Sequence, residues 1–550
     1  MNKEFDQLQE EFIEACFTRR PHSASRLGFT EYDTEMPSGK LSDRKKEIDQ
    51  EKYFLERFQD IDETQLDFDR KITRKLAIHK LNIWIFVDET LQHHLMDPNV
   101  SNEIASALYA LFIREGPERF YPLCTRLEKS PQYIEDFKTR VVKPTNLWTR
   151  MAVEGVEGLL KFLPQIVAAS KKEISSRDAE ELEDAAKKVE KSLLNYIAFL
   201  NQILPTTKTS WVMGRENFET LLKLRKIPYT GDEILALGLK WIREEKENLR
   251  TCAESIAPGK SVEEVTRSVK SQHVSTFEDV LELYRTFMKK SREFVIKNDI
   301  VTMPEGEVLE VIETPEFIRY QLPFAAYSPA PAVGERRVGH YYVTPPEDLK
   351  FLREHHESAV ANVSVHEAYP GHHVQIFCSS NHPHKIRWSF IPTDVYAKYI
   401  SEGSEFVEGW AHYCEEYMLK KGFCNTAAYL FTQSLQVLWR AVRIVVDVQL
   451  SRGEMTFDEA VAFLENEARM EHFAAVAEVK RYTIGPSYPL SYLLGKYMVK
   501  ELKEKVKKLM GSRFTDKFFH DTMLYEGTMP LALMEEIFEY KARGNAPHSG

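Results

Sequence analysis

Ser364-Val365-His366-Glu367-Ala368-Tyr369-Pro370-Gly371-His372-His373-Val374-Gln375 is the stretch on which the reading of this chain turns. It sets three histidines and a glutamate close together, around a Pro-Gly pair that an unbroken helix would not carry. In the common zinc-peptidase helix, two histidines stand at i and i+4, so both imidazoles reach one metal and the glutamate beside the first serves as general base. Here position 370 is proline, and His372 and His373 follow His366 by six and seven residues. On an ideal helix, six residues rotate a side chain about 240° past a full turn; seven nearly restore the face but carry it about 10.5 Å along the axis. Neither histidine can join His366 on an undistorted helix. Pro370 removes a helical hydrogen bond and Gly371 tolerates the backbone that results. A two-residue bulge is therefore expected to bring His372 to the metal beside His366, whereas a three-residue bulge would bring His373. The plainer alternative is a helix ending at Tyr369 with surface histidines in a turn. It would suit a lone histidine better than this cluster.

Working outward, the flanks read as helix and short strand. From residue 1 to about 300 apolar residues recur at three and four, as in Phe5, Leu8, Phe12 and Cys16. Ser175-Ser176 precedes a second stripe of Leu182, Ala185, Val189, Leu193 and Ile197. Between 306 and 345 the texture changes to two or three short strands separated by Pro/Gly turns. A helix is expected from about 347, with Glu347 and Asp348 in its first turn, up to the histidines. Further helices are expected at about 402–421, 425–451, 456–467 (capped by Thr456), 471–482, 488–508 and 530–541. The division expected is a helical wall over 1–300 and a catalytic half over 301–550, within one continuous fold.

Composition narrows the function classes. The chain has 550 residues, a net charge of −11, and hydrophobic and charged fractions of 43% and 29%, which suit a globular protein with a large core and argue against nucleic acid as a partner. It contains no run of about eighteen apolar residues, so no membrane partner is expected. Met1-Asn2-Lys3-Glu4-Phe5-Asp6 opens on an acidic amphipathic pattern without an apolar signal region, and the six cysteines form no CxxC pair. A cytoplasmic, reducing location is the expectation. Oligomeric state stays open.

The run His366-Glu367-x-x-x-Gly371-His372-x-x-Gln375 resembles the signature of the family catalogued as domain of unknown function 885, grouped with the gluzincin-type zinc metallopeptidases. Glu408-Gly409-Trp410-Ala411-His412-Tyr413-Cys414-Glu415 is similar to that family's EGWAxYxE helix. Arg440-x-x-Arg443-x-x-Val446-Asp447, Glu478-x-x-Arg481-Tyr482-x-x-x-Pro486 and Tyr492-x-x-Gly495 extend the resemblance, with a weaker echo at Ala24-x-x-Leu27-Gly28 and Tyr32-Asp33. The resemblance implies a mainly α architecture: a large helical fold wrapping a deep cleft, with a small β-sheet before the metal-binding helix. It also implies one Zn2+ per chain and a short peptide as substrate.

Two histidines leave a tetrahedral zinc in need of one more protein ligand and a water. The gluzincin plan takes that ligand from a second helix, which points to Glu408, with Glu415 as the alternative on the same face. His366, His372 and Glu408 are thus the expected ligands, with His373 the alternative to His372. Glu367 would accept a proton from the attacking water and return it to the leaving amine. For the oxyanion donor the resemblance favours Tyr482 with Arg481, followed by Tyr488 or Tyr492. His340, with Tyr341 beside it, would line the substrate groove on an edge strand, and Gln375 is a further substrate contact. His412, one turn after Glu408, either touches the site or packs in the core. Arg443 and Asp447 are expected to brace the structure, and His355-His356 to lie on the surface.

Three functions meet these observations: a zinc peptidase, a zinc hydrolase of a non-peptide amide, and a non-catalytic helical binding protein that keeps the site. The presence of Glu367 disfavours the last. An exopeptidase would need Arg481, Arg443 or Arg440 for a terminal carboxylate, or acids near Glu402 and Glu405 for an amine.

Overall fold

The structure, a computed structural model, describes residues 1–315, 319, 322, 324–346, 349–389 and 403–544. Glu347, Asp348 and Glu402 lie outside the described residues. Helices dominate. The first, Asn2–Arg19, buries Phe5, Leu8, Phe12 and Cys16, as its spacing predicts. In Ser176–Ile203 the hydroxyl of Ser175 accepts the Asp178 amide and Leu182, Ala185, Val189 and Leu193 face inward. After residue 400 the apolar periodicity finds the helices to within a few residues: Ser404–Lys420, Ala427–Arg452, Phe457–Ala468, His472–Ile484, Ser491–Met510 and Leu531–Ala542. Thr456 caps its helix in a reciprocal box with Glu459. One helix, Asp516–Tyr525, is not foreseen by the sequence reading, although Thr515 caps it.

Three strands form the sheet: β1 (Val308–Glu313), β2 (Ala325–Ser328) and β3 (Val338–Val343), in the order β1-β3-β2. β3 is central, parallel to β1 and antiparallel to β2. Tyr341 and Gly339 therefore share one face, and His340 and Tyr342 the other.

Two expectations for the approach to the site need correction. The helix expected from about 347 is a 3-10 stretch, Leu349–His355, followed by a separate helix, Glu357–Glu367. The break falls at His356, which takes an extended backbone as N-cap. His355 and His356 are buried rather than on the surface, and His355 Nδ1 lies 3.1 Å from the Tyr284 hydroxyl.

One apolar core runs from Phe5 to Ala542 and draws on both halves of the chain, while a second is built from residues between Val100 and Leu200, with Met36 among those packed against it. Within the first, the Ser404–Lys420 and Ser491–Met510 helices cross at Gly409 and Gly495. A Cβ on Gly409 would fall 2.4 Å from the Gly495 carbonyl carbon, so only glycine allows this approach. That crossing sets Glu408 beside Tyr488 and Tyr492.

Candidate metal centre

The Glu357–Glu367 helix stops at Glu367, and a new helix, His372–Ser379, starts at His372. The expected bulge within one helix is thus a complete break. Ala368 leaves helical geometry, the Tyr369–Pro370 peptide is cis, and Gly371 doubles back over the helix just finished. A Cβ on Gly371 would sit 1.8 Å from the His366 carbonyl oxygen, which excludes any other residue there. The indole N–H of Trp410 donates to the Pro370 carbonyl at 2.9 Å, tying the break to the helix that carries Glu408.

This arrangement brings His366, His372 and Glu408 together, all buried, with ligand atoms within 4.8 Å of one another. Glu408 Oε2 lies 3.4 Å from Nε2 of His366 and 3.4 Å from Nε2 of His372. In a tetrahedral zinc site with bonds of about 2.1 Å, neighbouring ligand atoms stand about 3.4 Å apart. Although buried, Glu408 Oε2 makes no aligned hydrogen bond among the described residues, whereas Oε1 accepts the Tyr488 hydroxyl at 2.5 Å. An orphaned carboxylate oxygen facing two imidazole nitrogens suits a divalent cation.

Electrostatics agree. Burial opposes an imidazolium at His366, yet Glu408 and Glu415 on its two nitrogens, with Glu367 beside it, hold its pKa up at about 9. Glu408 stays well below the carboxylate range despite its burial, because His372 and His366 face it. Three carboxylates around two imidazoles call for a positive charge.

A second layer orients the ligands. Glu415 Oε1 lies 2.8 Å from His366 Nδ1, and Glu415 also accepts Asn362 Nδ2 at 2.9 Å and Arg440 Nη2 at 3.1 Å. Nδ1–H thereby points to Glu415, which leaves Nε2 as the nitrogen that would give up its proton to an ion at the centre. Glu415 sits on the far edge of the ring, where it orients the candidate ligand His366, and Glu408 is the glutamate that faces both imidazoles. Gln375 Oε1 lies 3.3 Å from His372 Nδ1 and plays the corresponding part there. Being buried, Gln375 has no surface for the substrate contact expected of it. His373 is wholly buried, with Nε2 2.8 Å from Glu307 Oε2 and Nδ1 3.2 Å from the Tyr327 hydroxyl, so both nitrogens are engaged away from the centre. His412 lies behind Glu415, Nδ1 to Oε2 3.2 Å, one layer further out.

On the solvent side stand Glu367, Tyr488, Tyr492 and Arg481, each partly exposed. Glu367 Oε2 accepts the backbone N–H of Tyr327 at 3.0 Å, which anchors it to edge strand β2. The ring of Tyr492 stacks on His366, with centroids 6.2 Å apart and planes 12° apart. The turn bearing Tyr488 is held from two sides. Asp447 accepts the Ser487 N–H at 2.9 Å and the Leu490 N–H at 3.0 Å. Arg225 donates to the Ser487 carbonyl at 2.7 Å, and also to Glu405 at 2.6 Å.

Tyr482 does not fill the role of leading oxyanion donor. Its hydroxyl donates to Glu478 at 2.5 Å and accepts Arg443 Nε at 3.0 Å, and the residue is fully buried. His340 lies on the central strand, not an edge, and on the face opposite Tyr341. Tyr341 is enclosed in the core against Tyr284. Sequence reasoning missed Tyr327 and Glu307. The strand assignment held the only signal for Tyr327.

A second group of possible ligands, Asp69, His382 and Glu526, surrounds the buried guanidinium of Arg387, which lies 2.6 Å from Asp69 and 3.1 Å from Glu526. A cation of the protein's own already fills it.

A family model described as "Bacterial protein of unknown function (DUF885)" matches residues 21–537. No curated protein matches the chain. Among solved structures it is similar to "the putative lipoprotein from Colwellia psychrerythraea", with a TM-score of 0.83 and 17% identity over 98% of this chain and 99% of that one. It is also similar to "a putative lipoprotein of unknown function from Shewanella oneidensis", with a TM-score of 0.76 and 21% identity over 97% and 99%. At these identities the likeness speaks for the fold alone.

Proposed function

The chain belongs to the DUF885 family, and we propose that this member is a zinc-dependent peptidase acting on short peptides. The observation that carries the reading is the unsatisfied Glu408 oxygen, 3.4 Å from two imidazole nitrogens, next to a glutamate anchored by strand β2. His366, His372 and Glu408 would hold the ion. Bound zinc supplies a Lewis acid for the scissile carbonyl and a water acidic enough to lose a proton near neutral pH.

The protein's own groups do the rest. Glu367 keeps Oε2 on the Tyr327 amide, while Oε1 carries no hydrogen bond among the described residues and takes the proton. It returns that proton to the leaving amine. Tyr488, whose hydroxyl already reaches Glu408, turns its donor to the oxyanion as charge develops there. Tyr492 plates one face of His366 and keeps water from it.

The net charge of −11 agrees with a peptide rather than nucleic acid as partner. No helix among the described residues is long and apolar enough to cross a membrane. Six unpaired cysteines suit the reducing, cytoplasmic location expected from the sequence, and the word lipoprotein stays with the structural relatives that carry it.

The test is a mixed peptide library digested by zinc-reconstituted protein with and without chelator, read by mass spectrometry beside elemental analysis. We expect about one zinc per chain and chelator-sensitive cleavage. Glu367→Gln should keep the metal and lose about 10²-fold or more in rate. Absence of zinc after reconstitution, or no cleaved peptide, would sink the reading.

A further inference from the structure

Three arginines stand behind the tyrosines of the site, and the carboxylates beside them among the described residues do not balance all three. Arg443 donates Nε to the Tyr482 hydroxyl at 3.0 Å and Nη2 to Glu478 Oε2 at 3.1 Å, with its Cζ 4.6 Å from the centroid of the Tyr492 ring. Arg481 donates Nη2 to the same Glu478 oxygen at 2.8 Å. Among the described residues, one carboxylate thus answers two guanidiniums, leaving one positive charge in excess. Arg440 is occupied elsewhere, by Glu415 and by Gln436.

Exposure separates the three. The Arg481 side chain is 36% exposed, against 6% for Arg443 and 7% for Arg440. Among the described residues, Arg481 Nε and Nη1 have no hydrogen-bond partner, so its fork keeps donors for a ligand. Arg481 is tied to the site through neighbours: Arg443, on the same Glu478 oxygen, lies over the Tyr492 ring, and that ring in turn lies over His366. The opposite kind of end recognition finds no support at Glu405. That acid is buried, and its charge is matched by Arg225 at 2.6 Å.

We propose that Arg481 binds the free α-carboxylate of the substrate, so that the protein is a carboxypeptidase: it cleaves near the C-terminus of short peptides and ignores those whose terminus is blocked. This rests on the peptidase reading above. The carboxylate of the peptide neutralises the surplus charge of the Arg443–Arg481–Glu478 group, and the charge-assisted bond fixes the end of the chain relative to Glu367 and Tyr488.

The experiment uses pairs of peptides identical except for a free acid or an amide at the C-terminus, assayed with the zinc-loaded full chain. Wild type should cleave the acid with a kcat/KM about 10–100-fold above the amide, the range of a hydrogen-bonded charge pair. In Arg481→Met that ratio should collapse toward one, mostly through KM, and Arg481→Lys should restore part of it. Circular dichroism of both variants reports on folding. A titration of the Glu367→Gln protein should show the same acid-over-amide preference in binding alone. If wild type cleaves acid and amide equally, or Arg481→Met keeps the preference, the carboxylate role of Arg481 is wrong while the peptidase reading stands. If neither peptide is cleaved, the peptidase reading falls and this inference falls with it.

Discussion

Glu408 and Glu415 lie two turns apart on one helix, and a reader of the sequence can offer either to a metal. What separates them is the edge of the His366 ring that each meets: Nε2 for Glu408, Nδ1 for Glu415. Spacing along a helix cannot encode that, because it depends on how a second helix is turned. The same holds for His372 against His373. The sequence offers both, and Glu307, 2.8 Å from His373 and far away in sequence, engages His373 away from the other two candidate ligands. Tyr482 was misjudged because nothing local shows that Arg443 and Glu478 occupy its hydroxyl. Since Glu415 sets the His366 tautomer, Glu415→Gln should weaken zinc binding about 10–100-fold, measured by competition with a chromophoric chelator. Unchanged affinity would remove Glu415 from that role.

At the scale of elements, the Pro-Gly pair announced a distortion but not its form. A bulge keeps the helix going; the structure stops it and restarts it at His372. The difference is decided by Trp410, whose indole holds the Pro370 carbonyl from another helix, and by the close pass of Gly371 over His366. Gly371→Ala puts a methyl 1.8 Å from a backbone oxygen and must push the two histidines apart. We expect a loss of about 1–3 kcal/mol in stability together with loss of bound zinc, read by thermal unfolding and elemental analysis. Full zinc content in this variant would show that the turn is not what registers the ligands. The strands were legible as strands, but the order β1-β3-β2 was not, and it is the order that makes β2 rather than β3 the edge beside Glu367.

Across the whole molecule, periodicity and turn signals located nearly all the helices after residue 400, even though Ser404–Lys420 and Ala427–Arg452 are buried on nearly every face. The distribution of buried charge could not be read that way. His79, His356, His382 and His520 are pushed down to about 3 by burial, far below an exposed imidazole. The unfolded chain therefore binds more protons than the folded one below about pH 6.5. Their contribution to stability is complete above that pH and is lost progressively as pH falls toward 3. Asp447 and Glu51, raised to about 7 by burial, act in the opposite direction, but the four histidines outnumber them, so the urea midpoint should drop between pH 7 and pH 5; a midpoint that rises over that window would contradict this balance. The same nonlocality governs Arg225, which comes from the first half of the chain, far from every motif, yet bonds Ser487, Ser404, Glu405 and Ser491. On the proposed function, a minimal enzyme cannot be obtained by expressing the residues after 300, however completely they contain the candidate ligands His366, His372 and Glu408. Such a fragment would strand the Glu405 carboxylate in an apolar interior and unfasten the turn that presents Tyr488. The smallest piece that can do the chemistry is larger than the piece that holds its motifs.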